Sequence, residues 1–156
     1  MSVRRATVDD AAALASLCAE VQALHVAAMP HLYRPFDDLA PVIADFRDRL
    51  GDDARASWIA EVDGVAAGYV CTQVVRQAAH VYALARAHLY VDQMGVRADL
   101  RGRGVGRALI DEVRAHARAL ALPRVVLDVQ GFNDGAEAFY RRLGFTTRKH
   151  TMDLTP

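Results

Sequence analysis

The chain has 156 residues, enough for one domain over 1–156 that buries roughly two thirds of the surface of its unfolded form, with no room for a second. Its 19 basic and 19 acidic side chains cancel, so no whole-molecule field steers it to DNA, RNA or an anionic membrane, and any anion site has to be local. No apolar run approaches the roughly 18 uncharged residues of a membrane span, and "MSVRRATVDD" lacks the apolar centre of a signal peptide, which predicts a cytoplasmic protein without a membrane partner.

A short strand is expected around "SVRRAT", followed by a helix capped by Thr7 or Asp9, with Leu14, Leu17, Val21 and Leu24 at helical spacing and an end near His25 to Met29. "MPHLYRPFDDLAP", with three prolines and the three aromatic rings of His31, Tyr33 and Phe36, predicts an irregular, pocket-lining connection before a second helix through Ile43, Phe46 and Leu50. "SWIAEVDGVAAGYVCTQVV" reads as two strands joined by the hairpin signal Asp63-Gly64, with Gly68 marking a bulge. In "AHLYVDQMGV" Leu89 and Val91 alternate with His88, Tyr90 and Asp92, giving another strand. From Arg103 onward Leu109, Ile110, Val113, Ala117 and Leu120 form a helical stripe stopped by Pro123. "RVVLDV" is a short buried strand, "FNDGAEAFYRRLGF" a capped helix closed by Gly144, and "FTTRKHTMDL" a final edge strand. Cys18 and Cys71 sit in separate patterned segments with no CxxC, which predicts buried free thiols. Six scattered histidines without an HxxxH or HxH pair predict no metal site.

Between the third long strand and the stripe-bearing helix lies "VRADLRGRGVGRALI", residues 96–110. A strand that turns through glycines into a helix presents unpaired N–H groups at the positive end of the helix dipole, a site for phosphate oxygens. Gly102, Gly104 and Gly106 allow close backbone approach, and Arg101, Arg103 and Arg107 can add charge-assisted bonds. A P-loop would need GK[ST] where Gly106, Arg107 and Ala108 stand, and a dinucleotide fingerprint would need glycine where Arg107 stands.

The motif present is R-x-x-G-x-G, filled by Arg101, Gly104 and Gly106, and about two dozen residues later comes "VVLDVQGFNDGAEAFYRRLGF". In these two blocks, and over roughly residues 57–150, the sequence resembles the GNAT superfamily of N-acetyltransferases, whose members hold the pyrophosphate of acetyl-coenzyme A on this turn. The first fifty residues match in layout, "LHVAAMPHLYRP" being similar to acceptor-side segments. The resemblance implies an α/β (α+β) single-domain fold: a mixed, mostly antiparallel twisted sheet of about six to seven strands, splayed at its centre and flanked by about four helices.

The same resemblance implies that Met94, Gly95 and Val96 lie along the pantetheine arm, that residues 101–107 including Val105 hold the diphosphate, and that Asn133 bonds the cofactor or orders its loop. Tyr140 stands where the family's thiolate-protonating tyrosine stands, with a core aromatic as the alternative reading. For the base, Asp92 on the strand beside the cofactor and Asp128 in "LDV" are both candidates. His25, Met29, Tyr33 and His88 are placed at the acceptor, and "RQAAHVYALARA" is a second wall. The implied activity is direct transfer of an acetyl group from acetyl-coenzyme A to a primary amine of a small molecule or peptide, in a ternary complex. The alternative is a non-catalytic acyl-coenzyme A sensor or assembly domain. Nucleic-acid binding is disfavoured by zero net charge, and a homodimer through the C-terminal strands is ordinary for the family.

Overall fold

A computed structural model describes residues 1–154. The chain runs β1 (Ser2–Arg5), α1 (Ala11–Ala28), α2 (Ala40–Leu50), β2 (Arg55–Val62), β3 (Val65–Gln77), β4 (Arg86–Val96), α3 (Val105–Ala119), β5 (Val125–Leu127) and α4 (Asp134–Arg142). The five strands lie in sequence order in one sheet, antiparallel except for the last pair, where β5 runs parallel to β4.

Each connection has a local cause. A short 3-10 turn leads into α1, and the Thr7 N–H donates to the Asp10 carboxylate at 2.8 Å, so one orphan donor is satisfied at the helix entry. Asp63 and Gly64 both have positive φ (53° and 76°), the two-residue turn whose twist matches that of the flanking strands β2 and β3. The α3 crossover returns the chain so that Leu89 to Val91 of β4 pair with Val125 to Leu127 of β5.

Strand alternation divides the core between the two faces of the sheet. On one, Leu109, Val113 and Ala117 of α3 bury Ala56, Trp58, Val70, Leu89 and Val91. On the other, Leu14 and Cys18 of α1 and Phe46 of α2 cover Ile59, Tyr69 and Cys71, with the Phe46 and Tyr69 rings edge to face at 5.8 Å. Contrary to the expectation that no apolar run approaches the length of a membrane span, the helical stretch Val8–Ala28 contains an 18-residue window of mean hydropathy 1.4, enough by length and composition to cross a membrane, although here Leu14, Leu17 and Cys18 pack on the sheet.

Three further expectations need correction. The sheet has five strands among the described residues, not six or seven: residues 145–154 form no strand, because β5 offers only three residues as a template and Met152 and Leu154 stay exposed, burying nothing that would fix a register. The bulge near Gly68 is real, but the residue left without a partner is Ala67. Gly68 instead answers a close approach, since a β-carbon there would stand 2.8 Å from the Gly95 carbonyl oxygen and 3.1 Å from Val105. The alternation read along β4 also stops early: Thr72 pairs with Val91 and Cys71 with Gln93, so Asp92 is an extra, bulged residue, and it meets Arg49 of α2 while Gln93 meets Cys18 of α1.

Candidate active site

The first turn of α3 carries the glycine run. Gly102 and Gly104 have φ of +77° and +85°, a conformation in which a β-carbon is strained, and the space beside each α-carbon is open. The first backbone bond into the helix is Ala108 N–H to the Gly104 carbonyl, so among the described residues the N–H groups of Val105, Gly106 and Arg107 have no backbone acceptor. Together with the helix dipole, worth about half a positive charge at this end, they form a preformed anion receptor. Arg101 folds back to donate from Nε to the Val96 carbonyl at 3.2 Å, and Arg103 and Arg107 are exposed without a carboxylate partner among the described residues. The residues expected to hold a diphosphate therefore meet at one helix end and present donors only.

Beside this receptor the sheet opens. β5 stops pairing at Leu127, one residue before the bulge in β4, so the outer edge of 92–96 has no strand beside it. Met94, Gly95 and Val96 line this opening on the edge that no strand covers among the described residues, with the Val96 carbonyl accepting from Arg101. Gly95 has to be glycine: a β-carbon would stand 2.7 Å from Val21 and 2.9 Å from Tyr69. At Gly106 a β-carbon would lie 3.0 Å from the Phe139 ring and 3.4 Å from the Met94 methyl, so the receptor packs directly on α4 and on the opening.

Tyr140, the next residue of α4, reaches into the same opening, its hydroxyl 3.5 Å from the Met94 sulfur. Its ring lies between Phe139 and Phe145, and burial pushes the phenol up to about 12, so it keeps its proton throughout the neutral range. Asn133 acts as the α4 cap, its side-chain oxygen accepting the Ala136 N–H at 3.0 Å.

The two candidate carboxylates differ in their surroundings. Asp92 is claimed by two guanidinium groups, Arg49 of α2 and Arg55 of β2, the latter at 3.2 Å. Asp128, just beyond β5, is exposed and accepts the Tyr90 hydroxyl at 2.8 Å through Oδ2. Burial, then this carboxylate, pushes the Tyr90 phenol up to about 12. His88 lies on the strand before Tyr90, the rings 6.5 Å apart, and burial followed by Arg148 and Arg86 holds its imidazole below the usual value.

The acceptor-side wall is aromatic. His25, in the last turn of α1, lies 4.8 Å from the Tyr33 ring and 5.5 Å from that of Phe132, and Gln130 donates to the Tyr33 hydroxyl at 2.5 Å. Met29 shapes the turn that delivers Tyr33, its carbonyl accepting the Tyr33 N–H at 3.1 Å. The "RQAAHVYALARA" segment is a protruding hairpin tip with Val81, Tyr82 and Leu84 almost fully exposed. Tyr90, Gln130 and Phe132 escaped the sequence reading: the last two occupy a loop with no periodicity, and Tyr90 gains meaning only when β5 delivers Asp128.

The profile of the Acetyltransferase (GNAT) family matches residues 19–145. A mycothiol acetyltransferase of Streptomyces griseus subsp. griseus is 35% identical over 114 residues, which are 70% of this chain and 34% of that protein, so the chain spans about a third of the length of this relative. A crystal structure of a mutant BH1408 protein from Bacillus halodurans superposes with a TM-score of 0.92 at 26% identity, covering 100% of this chain and 99% of the other. The aminoglycoside-type protein AAC(6')-Iy, solved with a bisubstrate analogue of coenzyme A and acetylneamine, has the same fold, with a TM-score of 0.77 at 19% identity over 99% and 97% of the two chains. Profile, relatives and architecture agree: the chain belongs to the acetyltransferase (GNAT) family.

Proposed function

We propose that the protein is an N-acetyltransferase that moves an acetyl group directly from acetyl-coenzyme A to a primary amine. The observation that carries this reading is the convergence of the donor-only end of α3 and the Tyr140 hydroxyl on one opening in the sheet. Acetyl-coenzyme A supplies the activated acyl group. The chain supplies N–H groups and arginines for its diphosphate and a free strand edge for its pantetheine amides, which leaves the thioester beside Tyr140.

An alkylammonium acceptor with a side-chain-like pKa is almost entirely protonated at pH 7, and reaching the neutral nucleophile costs roughly 4.6 kcal/mol. Asp128, exposed at the mouth with Oδ1 free among the described residues, draws the cationic amine in. Asp92, held by Arg49 and Arg55, fixes α2 to the bulge and so positions the strand edge. Tyr140 retains its proton at neutral pH and gives it to the departing sulfur.

The test is release of free thiol from acetyl-coenzyme A with a panel of small primary amines. Wild type should turn over at least one of them. Tyr140→Phe should lower kcat about 100-fold while coenzyme A affinity, measured calorimetrically, stays near wild type. Coenzyme A binding without thiol release from any amine would instead identify an acyl-coenzyme A binding domain.

A further inference from the structure

On α1 the sheet-facing positions Leu14, Cys18 and Val21 recur at helical spacing, and the next position on that face is His25. These side chains step outwards across the sheet. Cys18 Sγ lies 3.7 Å from Gln93 Oε1, and Val21 lies against the α-carbon of Gly95, at the free edge of β4. One turn farther an apolar side chain would find no strand to pack on, because β5 has already left β4. The sequence places an imidazole there, its ring 4.8 Å from that of Tyr33 and 5.5 Å from that of Phe132, which lies in the segment between β5 and α4.

The ring has a defined polarity. His25 Nδ1 is 2.9 Å from the Val21 carbonyl oxygen, which can only accept, so the neutral ring carries its hydrogen on Nδ1 and its lone pair on Nε2. Nε2 has no hydrogen-bond partner among the described residues, whereas Asp92 and Asp128 both have donors bound to them. An oriented imidazole with a vacant lone pair at a reaction centre is the arrangement that accepts a proton.

We propose that His25 Nε2 is the base of the acetyl transfer, a proposal that rests on the N-acetyltransferase reading above. The acceptor, drawn to the mouth as a cation, loses one proton to solvent there and reacts as the neutral amine. Its nitrogen forms a bond to the acetyl carbon, the C–S bond breaks with its electron pair on sulfur, Nε2 takes the N–H proton, and Tyr140 gives its hydroxyl proton to the sulfur. The imidazolium then loses a proton to water and the phenolate regains one.

Two measurements test this. Ring nitrogen NMR of the wild-type protein, which needs no acceptor, should show His25 as the Nδ1–H tautomer; an Nε2–H ring would overturn the assignment. In the thiol-release assay, with the panel amine that wild type turns over fastest, His25→Ala and His25→Gln should each lose about 100-fold in kcat with coenzyme A affinity unchanged. Imidazole added to the solution should restore about tenfold to the alanine variant, in a saturable manner, and nothing to the glutamine variant, whose side chain fills the space. Activity near wild type in either variant, or a loss in His25→Ala that imidazole does not relieve, would remove His25 as the base. If wild type itself released no thiol with any amine, the N-acetyltransferase reading would fail and His25 would have no reaction to serve, a result separate from failure of the variants alone.

Discussion

The two carboxylates show how residue type alone leaves a role open. Asp92 and Asp128 both lie near the opening of the sheet, yet one oxygen of Asp92 meets two guanidinium groups while Asp128 meets a single phenol. Both guanidinium groups converge on that one oxygen, so the Asp92 carboxylate ties α2 and β2 to the bulge in β4. Its loss would leave Arg49 and Arg55 without their shared partner across α2, β2 and β4. Asp92→Asn is therefore expected to lower the thermal midpoint and to change turnover less than tenfold, whereas Asp128→Asn should raise KM for the amine with kcat nearly unchanged and the midpoint intact. Melting curves and steady-state kinetics of the pair check this, and the reverse pattern would exchange the two roles. Burial gave the sequence no handle on this difference, because Arg49 and Arg55 are brought to Asp92 only when α2 docks.

At the scale of elements, what could be read in advance was what short-range chemistry dictates. Asp63-Gly64 announces its turn because both positions need positive φ, and the glycine run before α3 announces a bare helix end because Gly102 and Gly104 adopt that conformation too. The helix of α4, its Asn133 cap and its Gly144 stop were visible for similar reasons. The bulge at Asp92 was not, since it depends on the register between β3 and β4 and no glycine or proline marks it. The final strand expected over residues 145–154 failed because a strand is defined by its neighbour, and β5 is three residues long. The aromatic wall was only half legible: His25 at the end of its helix and Tyr33 in the aromatic loop lie close in sequence, but Phe132 and Gln130 come from a segment more than ninety residues away.

For the whole molecule, the groups kept protonated by burial set a limit on alkaline stability. Burial pushes Tyr90 and Tyr140 up to about 12 and Cys71 up to about 11. In the unfolded chain these groups ionise near their ordinary values, about 10 for tyrosine and 8.5 for cysteine, so above those values the unfolded state binds fewer protons than the native state. Their contribution is complete below those ordinary values and disappears as pH climbs through 11 to 12. Urea midpoints should accordingly fall between pH 8.5 and pH 11, and a flat or rising profile over that interval would contradict the burial of these side chains.

The opening of one sheet, a helix end that offers only donors and a buried phenol amount to an active site if the α3 terminus holds the diphosphate of coenzyme A. Calorimetric titration of coenzyme A and of pantetheine, which lacks the diphosphate, into wild type and Gly104→Glu measures this most directly, with circular dichroism to verify the fold. The substitution is expected to weaken coenzyme A binding by more than about tenfold, through strain at positive φ and a carboxylate at the anion receptor, and to leave pantetheine binding unaltered. Equal affinity of the two folded proteins for coenzyme A would contradict it.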